Sequence, residues 1–520
     1  MLLLLTVAFS GCAEDGGDPG RTEGPDPTPT LSQKRFGILP PEEVWVASTV
    51  DGKRIHNVVY RPDAEEDVPV WINFSPYWGD TADEEGDAFA RYMIHEYVPR
   101  GYAVVLSAVR GTGHSEGCFP IAGDLEIQDA YDVIDHFASA DWGSGKVGAG
   151  GKSYDSTTQN GLIAKDPHPA LRAVFHVGGI TDMYRYNYRD GVPYFNGLAF
   201  TPRYYASQGF DEYTGEDEED AASLQRAVDD AACPEAARHA ASGTGSAAAG
   251  MKDAYWIERD WNRYIADSAW DGGVFFVHGL QDWNVKPDHI LPWLGLLPPH
   301  VHVKAWLHQW QEGGTGHVYP MRDDWNTTML RWMDHWLKDV DTGILDEPRF
   351  EVQGTDGRWR ASDAWPVEDG TFAWGGGTGD AGITFDDPFR ASGPLRITYN
   401  ATVLGPDPVL SVVVTDQDGA WVTEGVLRGV YKDGLEAPAP LVPGTAYTFV
   451  FETYPVDVVL PAGGGLRLAL QAEPRHSLPT PLQLAAVSPL DRSVHVRMHM
   501  ADPADGLLGE QPTQIGCFAC

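Results

Sequence analysis

Long apolar runs of strand length, set apart by segments with helical spacing, restrict this chain to a sheet buried on both faces. Val68-Pro-Val-Trp-Ile-Asn-Phe, Tyr102-Ala-Val-Val-Leu-Ser-Ala-Val, Gly273-Val-Phe-Phe-Val and Val301-His-Val-Lys-Ala-Trp-Leu are largely apolar at both odd and even positions. Only a strand covered by helices on both sides can bury such a run. Residues 84–99 have helical spacing, and residues 126–139 place Ile127, Tyr131, Ile134 and Phe137 on one helix face. A mostly parallel α/β sheet is therefore expected. Two alternating strands precede it, Glu43–Val50 and Ile55–Pro62, joined by the hairpin signal Asp51-Gly52. From about Arg349 the pattern changes to short alternating strands between Gly, Pro and Asp turns. Leu395–Tyr399, Leu410–Val414, Tyr447–Phe451, Leu466–Leu470 and Val494–Met498 predict an all-β sandwich.

The chemistry is concentrated at the ends of these strands. Gly145-Lys-Val-Gly-Ala-Gly-Gly-Lys-Ser153-Tyr154 is a short strand running into a helix, which is the layout of a turn that lifts a serine hydroxyl above a sheet. Asp155 and Ser156 stand where a second glycine is expected after the serine. A serine nucleophile needs an orienting acid and a base, in the order Ser, Asp, His for this layout. Asp282 follows the strand that begins at Gly273, and His308 and His317 follow the strand that begins at Val301. All three roles thus fall in loops after strands, on one sheet edge. No His-Glu-x-x-His and no phosphate loop occurs, so no cofactor or metal is expected.

With 520 residues the chain has room for two or three domains. Its formal net charge of −38 repels phosphate backbones, which argues against nucleic-acid partners. Residues 2–9 are apolar and lead into Ser10-Gly11-Cys12, which resembles a lipoprotein signal with Cys12 as the lipidated residue. Residues 13–35 are rich in Pro, Gly and acid and read as a flexible tether. The expected location is therefore export, with membrane attachment to a bacterial cell envelope only through that lipid, or otherwise secretion. Cys118, Cys233, Cys517 and Cys520 allow three disulfide pairings, between which the sequence does not choose.

Several motifs together resemble the CocE/NonD hydrolases and the Xaa-Pro dipeptidyl-peptidases of peptidase family S15. They are Asp51–Pro62, Ser75-Pro-Tyr77, Arg110-Gly-Thr-Gly-His-Ser-Glu-Gly117, Gly151-Lys-Ser-Tyr154, His278-Gly-Leu-Gln-Asp-Trp-Asn-Val-Lys286, Trp332–Lys338 and Trp359–Pro366. The resemblance implies an α/β-hydrolase domain with a helical cap insertion and a C-terminal jelly-roll. The corresponding division is a signal peptide at 1–12, the tether at 13–35, hydrolase parts at 36–180 and 271–345, the cap at 181–270 and the sandwich at 346–520. It also implies Ser153 as nucleophile, Asp282 as orienting acid, His317 rather than His308 as base, and an oxyanion hole made by Tyr77 and the backbone N–H of Tyr154. The implied reaction is release of N-terminal Xaa-Pro dipeptides through an acyl-enzyme. An esterase or amidase acting on small acyl compounds and a non-catalytic surface binding protein are the alternatives.

Overall fold

The computed structural model describes residues 31–77, 88–194, 250–282, 284–309, 322–367, 370–376 and 381–509. β1 (Glu42–Ala47) and β2 (Arg54–Tyr60) form the antiparallel hairpin expected around Asp51-Gly52. There follow β3 (Val68–Ser75), α1 (Ala88–Tyr97), β4 (Ala103–Ala108), α2 (Asp124–Ala138), β5 (Gly143–Lys152), α3 (Thr158–Lys165) and β6 (Leu171–Val177). After a small hairpin, β7 (Tyr188–Arg189) with β8 (Val192–Pro193), the sheet resumes with β9 (Gly273–Gly279), β10 (His302–His308), β11 (Phe350–Gln353) and β12 (Trp359–Ser362). The strand order is β1-β2-β4-β3-β5-β6-β9-β10-β11-β12, and every pairing from β4 to β11 is parallel.

Alternation along the buried strands sends side chains to two different cores. Ile72, Val105, Val147, Val174 and Phe276 meet α2 and α3 through Ile134, Phe137 and Leu162. Trp71, Phe175, Phe275 and Trp306 point the other way, to α1 and the helix Trp325–Lys338. These runs are largely apolar at both odd and even positions because both faces are covered.

The C-terminal region forms two facing antiparallel sheets. One orders β13 (Gly370–Gly376), β21 (Val487–Ala501), β15 (Phe389–Val403) and β18 (Ala446–Glu452), with β19 (Val456–Leu460) also on β15. The other orders β14 (Ala381–Thr384), β20 (Gly465–Leu470), β16 (Val409–Asp416) and β17 (Trp421–Arg428). Ile397, Tyr399, Val412, Phe449 and Leu468 fill the space between them.

Two of the expected boundaries are corrected. The sandwich does not begin at 346, because β11 and β12 belong to the hydrolase sheet: Phe350 pairs with Ala305 of β10 in parallel. Phe350-Glu-Val-Gln alternates like a sandwich strand, but Phe350 and Val352 are buried in the first core. Nor does the tether extend to 35. The Ser32 amide and hydroxyl donate to the fully buried Asp334 carboxylate at 2.7 and 2.6 Å, and the Arg35 amide donates to the Pro99 carbonyl. Most of the expected cap, 195–249, lies outside the described residues, as do the signal peptide with Cys12 and the remaining tether. The described flanks of the cap segment are tied together by Lys252, which donates to both Asp182 and Asp260 at 2.7 Å in buried surroundings.

Candidate active site

Ser153 is the first residue after β5 and has φ of 62°, a left-handed conformation that a non-glycine residue rarely holds. Such a residue costs of order 1–3 kcal/mol and persists only where its surroundings fix it. Here hydroxyls and amides fix it. The Ser153 carbonyl accepts from Ser156 Oγ and Thr157 Oγ1, both at 3.0 Å, and Asn160 Nδ2 donates to the Ser156 carbonyl at 2.8 Å. On the strand side, Asn73 Nδ2 donates to the Gly150 carbonyl at 3.1 Å.

The turn also explains the missing second glycine. A Cβ on Gly151 would lie 2.6 Å from both Asn73 Nδ2 and the Asp155 Cβ, so the close approach is made on the strand side. Asp155 occupies the position itself and is buried. Across the turn, a Cβ on Gly179 would lie 2.3 Å from Ser156 Oγ. Glycine is needed opposite the turn rather than within it.

Tyr154 is fully buried, and its hydroxyl donates to Glu126 Oε2 at 2.8 Å. Glu126 lies in the first turn of α2 and also accepts from Thr158 Oγ1 at 2.5 Å and the Ala122 amide at 2.9 Å. Burial pushes its carboxyl above the usual range against the opposing pull of those hydroxyls. It therefore grips the serine turn at two points just after Ser153. Sequence reasoning missed it, because an acid in the first turn of a helix looks like a solvated partner of the helix dipole.

Asp282 is buried three residues beyond β9, and its Oδ1 accepts from the Asn284 and Val285 amides at 2.8 and 3.0 Å. His278 Nε2 donates to the Val285 carbonyl at 3.0 Å and closes the same loop, and Tyr186 donates to Asn284 Oδ1 at 2.8 Å. Further along the loop, burial pushes the Lys286 ammonium down to about 8, against the pull of Asp282, Asp288 and Glu424. Its Nζ lies 4.6 Å from the centre of the Tyr194 ring.

Tyr77 follows β3, half-buried against the first core, with its amide donating to Ser75 Oγ at 3.0 Å. Because β3, β5, β6, β9 and β10 run parallel, Tyr77, Ser153, Asp282 and His308 all lie at the same edge of the sheet. His308 is the last residue of β10, paired with Gly279 and buried, as expected of a histidine held by its strand. His317 lies outside the described residues. Cys118 is disulfide-bonded, and the other four cysteines lie outside the described residues.

A serine in a strained strand-to-helix turn and an acid two strands away are the frame of a hydrolase. Comparison with known proteins agrees. Residues 51–314 match the X-Pro dipeptidyl-peptidase family (S15), and residues 379–481 match the X-Pro dipeptidyl-peptidase C-terminal non-catalytic domain. The chain belongs to family S15. It is a serine hydrolase of the peptidase kind. A putative Xaa-Pro dipeptidyl-peptidase of Bacillus anthracis is 28% identical over 513 residues, covering 83% of this chain and 82% of the relative. Among solved structures, an aminopeptidase from a marine sediment Thaumarchaeota archaeon shares the fold with a TM-score of 0.66 at 17% identity, covering 94% of this chain and all of that one. A CocE/NonD family hydrolase from Staphylococcus aureus gives a TM-score of 0.65 at 15% identity, covering 93% and 98%. The family assignment accounts for the α/β-hydrolase sheet and the C-terminal sandwich together.

Proposed function

We propose that the chain is an exported Xaa-Pro dipeptidyl-peptidase working through Ser153, Asp282 and His317. The observation that carries this reading is the strained Ser153 on the β5–α3 turn, at the sheet edge it shares with Asp282. In the proposed reaction Ser153 Oγ attacks the carbonyl carbon of the proline while His317 takes the hydroxyl proton. The Tyr77 hydroxyl and the Tyr154 N–H hold the oxyanion, and Asp282 steadies the imidazolium. Collapse expels the amine, which takes that proton, and leaves a dipeptidyl ester. Water then attacks the ester with His317 as base again, releasing the dipeptide and restoring Ser153.

The specificity half of the reading is supported by the name of the Bacillus relative and by the His278–Lys286 stretch. Aminoacyl-prolyl amides with free and with acetylated N-termini, set against simple aryl esters, test it. A site built to hydrogen-bond a buried ammonium rejects a substrate lacking it by orders of magnitude. Cleavage confined to free N-termini is the expected result; equal rates on blocked substrates would move the assignment to an esterase or amidase. We also propose lipidation at Cys12, supported by the apolar run that ends at Ser-Gly-Cys. Cys12→Ala should release the protein from the membrane fraction or block its processing, and unchanged fractionation would reject the anchor.

A further inference from the structure

At the hairpin end of the large sheet, with β4 and β3 between the hairpin and the strand that leads to Ser153, three side chains of metal-ligand type converge. Glu43 belongs to β1, His56 to β2 and His114 to the loop after β4. One ligand atom from each lies within 4.8 Å of the other two. His56 Nε2 is 3.4 Å from a Glu43 carboxylate oxygen, and the two imidazole rings are centred 5.0 Å apart. The His56 side chain is only 3% exposed, whereas that of Glu43 is 35% exposed, so an ion entering from solvent would meet the carboxylate first.

The convergence is built into the backbone. Glu43 pairs with Val58 and Trp45 with His56, which puts Glu43 and His56 diagonally on one face of the hairpin. The residues that follow His114 are bonded to the strand that carries His56. The His56 amide donates to Ser115 Oγ at 2.8 Å, and that hydroxyl donates to the Ala108 carbonyl at 2.7 Å. The Glu116 amide donates to the Arg54 carbonyl at 2.9 Å, and its carboxylate accepts from the Arg54 amide, Nε and Nη2 at 2.9, 2.9 and 2.6 Å. The loop begins at Arg110, a buried guanidinium with two 2.7 Å bonds to Asp129 and a third to Asp51. Pinned at both ends, the loop delivers His114 to a set position.

We propose that Glu43, His56 and His114 bind one divalent transition-metal ion of the zinc class. Two imidazoles and a carboxylate are the donors such ions favour, and three protein ligands leave a fourth position for water. Ligand atoms about 2.1 Å from a tetrahedral ion stand about 3.4 Å apart, the separation His56 and Glu43 already have. The third ligand closes by side-chain rotation. Bound there, the ion cross-links the outer hairpin to the Arg110–Gly117 loop, and it shares no residue with the proposed triad.

The test uses the full chain, stripped with chelator, desalted, and titrated with zinc or cobalt(II). One tightly held equivalent is expected, with the visible absorption of four-coordinate cobalt and a higher unfolding temperature in zinc. Glu43→Gln and His114→Ala should each weaken binding by more than about a hundredfold, the upper end of the effect of losing a partner one step further from the metal. Glu43 is partly exposed, so its variant should fold even if His114→Ala does not. Equal uptake by wild type and both variants would mean an adventitious ion only, held elsewhere among the 17 histidines, and would overturn the proposal. A wild-type unfolding temperature indifferent to zinc would overturn it equally.

Discussion

Replacing Glu126 by alanine should loosen the serine turn from beneath. The carboxylate accepts from the Tyr154 hydroxyl, the Thr158 hydroxyl and the Ala122 amide, and all three of these residues are buried. A buried donor left without its partner costs about 1–3 kcal/mol, so three orphaned donors set an upper range of about 3–9 kcal/mol. A polar space vacated by a carboxylate admits water, which recovers part of that loss and leaves about 3–5 kcal/mol. Glu126→Gln keeps the shape. Its carbonyl oxygen can still accept from Tyr154 and Ala122 while its amide donates to Thr158 Oγ1. Because burial already disfavours the ionised carboxyl, losing the charge adds little, and the glutamine variant should stay within about 1 kcal/mol of wild type. Urea unfolding and kcat/KM measured side by side separate the variants. Alanine should lower the midpoint and also cut kcat by about a hundredfold, the scale of a 1 Å misplacement of a reacting group. Glutamine should restore both. An alanine variant as stable and as active as wild type, or a glutamine variant as damaged as alanine, would refute the argument that Glu126 fixes the turn.

Three further outcomes follow from the same geometry. Ser153→Gly and Ser153→Ala should both be inactive, but the glycine variant should unfold at higher urea by about 0.5–1 kcal/mol, since it is free of left-handed strain that outweighs its extra unfolded-state entropy; the reverse order would remove the strain from the account. Lys286 titrates lower in the folded chain, near 8, than in the unfolded one, so its contribution is complete only above the unfolded value of 10.5 and is lost as pH falls through 8. The stability of wild type relative to Lys286→Met should therefore rise from pH 8 to about 10, by up to about 3 kcal/mol, and a flat difference in urea titrations would contradict the buried ammonium. His317→Ala should lower turnover by about ten-thousandfold or more and His308→Ala by no more than about a hundredfold; the opposite ranking would make the strand-held His308 the base.

What was legible in the sequence was whatever repeats with the period of an element. Val68–Phe74 and Gly273–Val277 are largely apolar on both faces because helices cover both, and the structure makes them β3 and β9. The place of Ser153 was legible from the glycines before it and the helix after it. Long-range partnerships were not. Glu126 and Tyr154 are 28 residues apart, and nothing local distinguishes a buried acid from a solvated one. Phe350–Gln353 alternates like a sandwich strand and became the parallel neighbour of β10 because its apolar side chains close the end of the first core. Ser32 looked like tether because the carboxylate that holds its amide and hydroxyl, that of Asp334, lies 302 residues away.

The family description calls the C-terminal domain non-catalytic, yet here it braces the loops that carry the proposed acid and base. Gln309 follows His308 directly, and its side-chain amide donates to the Gln353 carbonyl at 2.8 Å and to the Asp457 carbonyl of β19 at 3.3 Å. The Asp457 carboxylate is itself held by Arg390 at 2.8 and 2.7 Å and by the Trp365 indole at 3.1 Å. On the other side, Arg189 donates to Asp288, six residues beyond Asp282, at 2.9 Å, and to the Glu452 and Thr453 carbonyls at 2.7 and 3.1 Å. The end of β10 and the loop after β9 are thus each tied to the β18–β19 segment, the first by a neutral amide bond and the second through the Arg189 guanidinium, whose bonds are charge-assisted, the strong kind. A reacting group on a loop is only as well placed as the contacts that hold the loop. With the sandwich absent, Arg189 and Asp288 would remain as a buried pair opened to water on one side, and Gln309 would lose its second acceptor. In the proposed reaction the sandwich supplies no reacting atom; it holds the end of β10 and the loop that carries Asp282 at the sheet edge they share with Ser153.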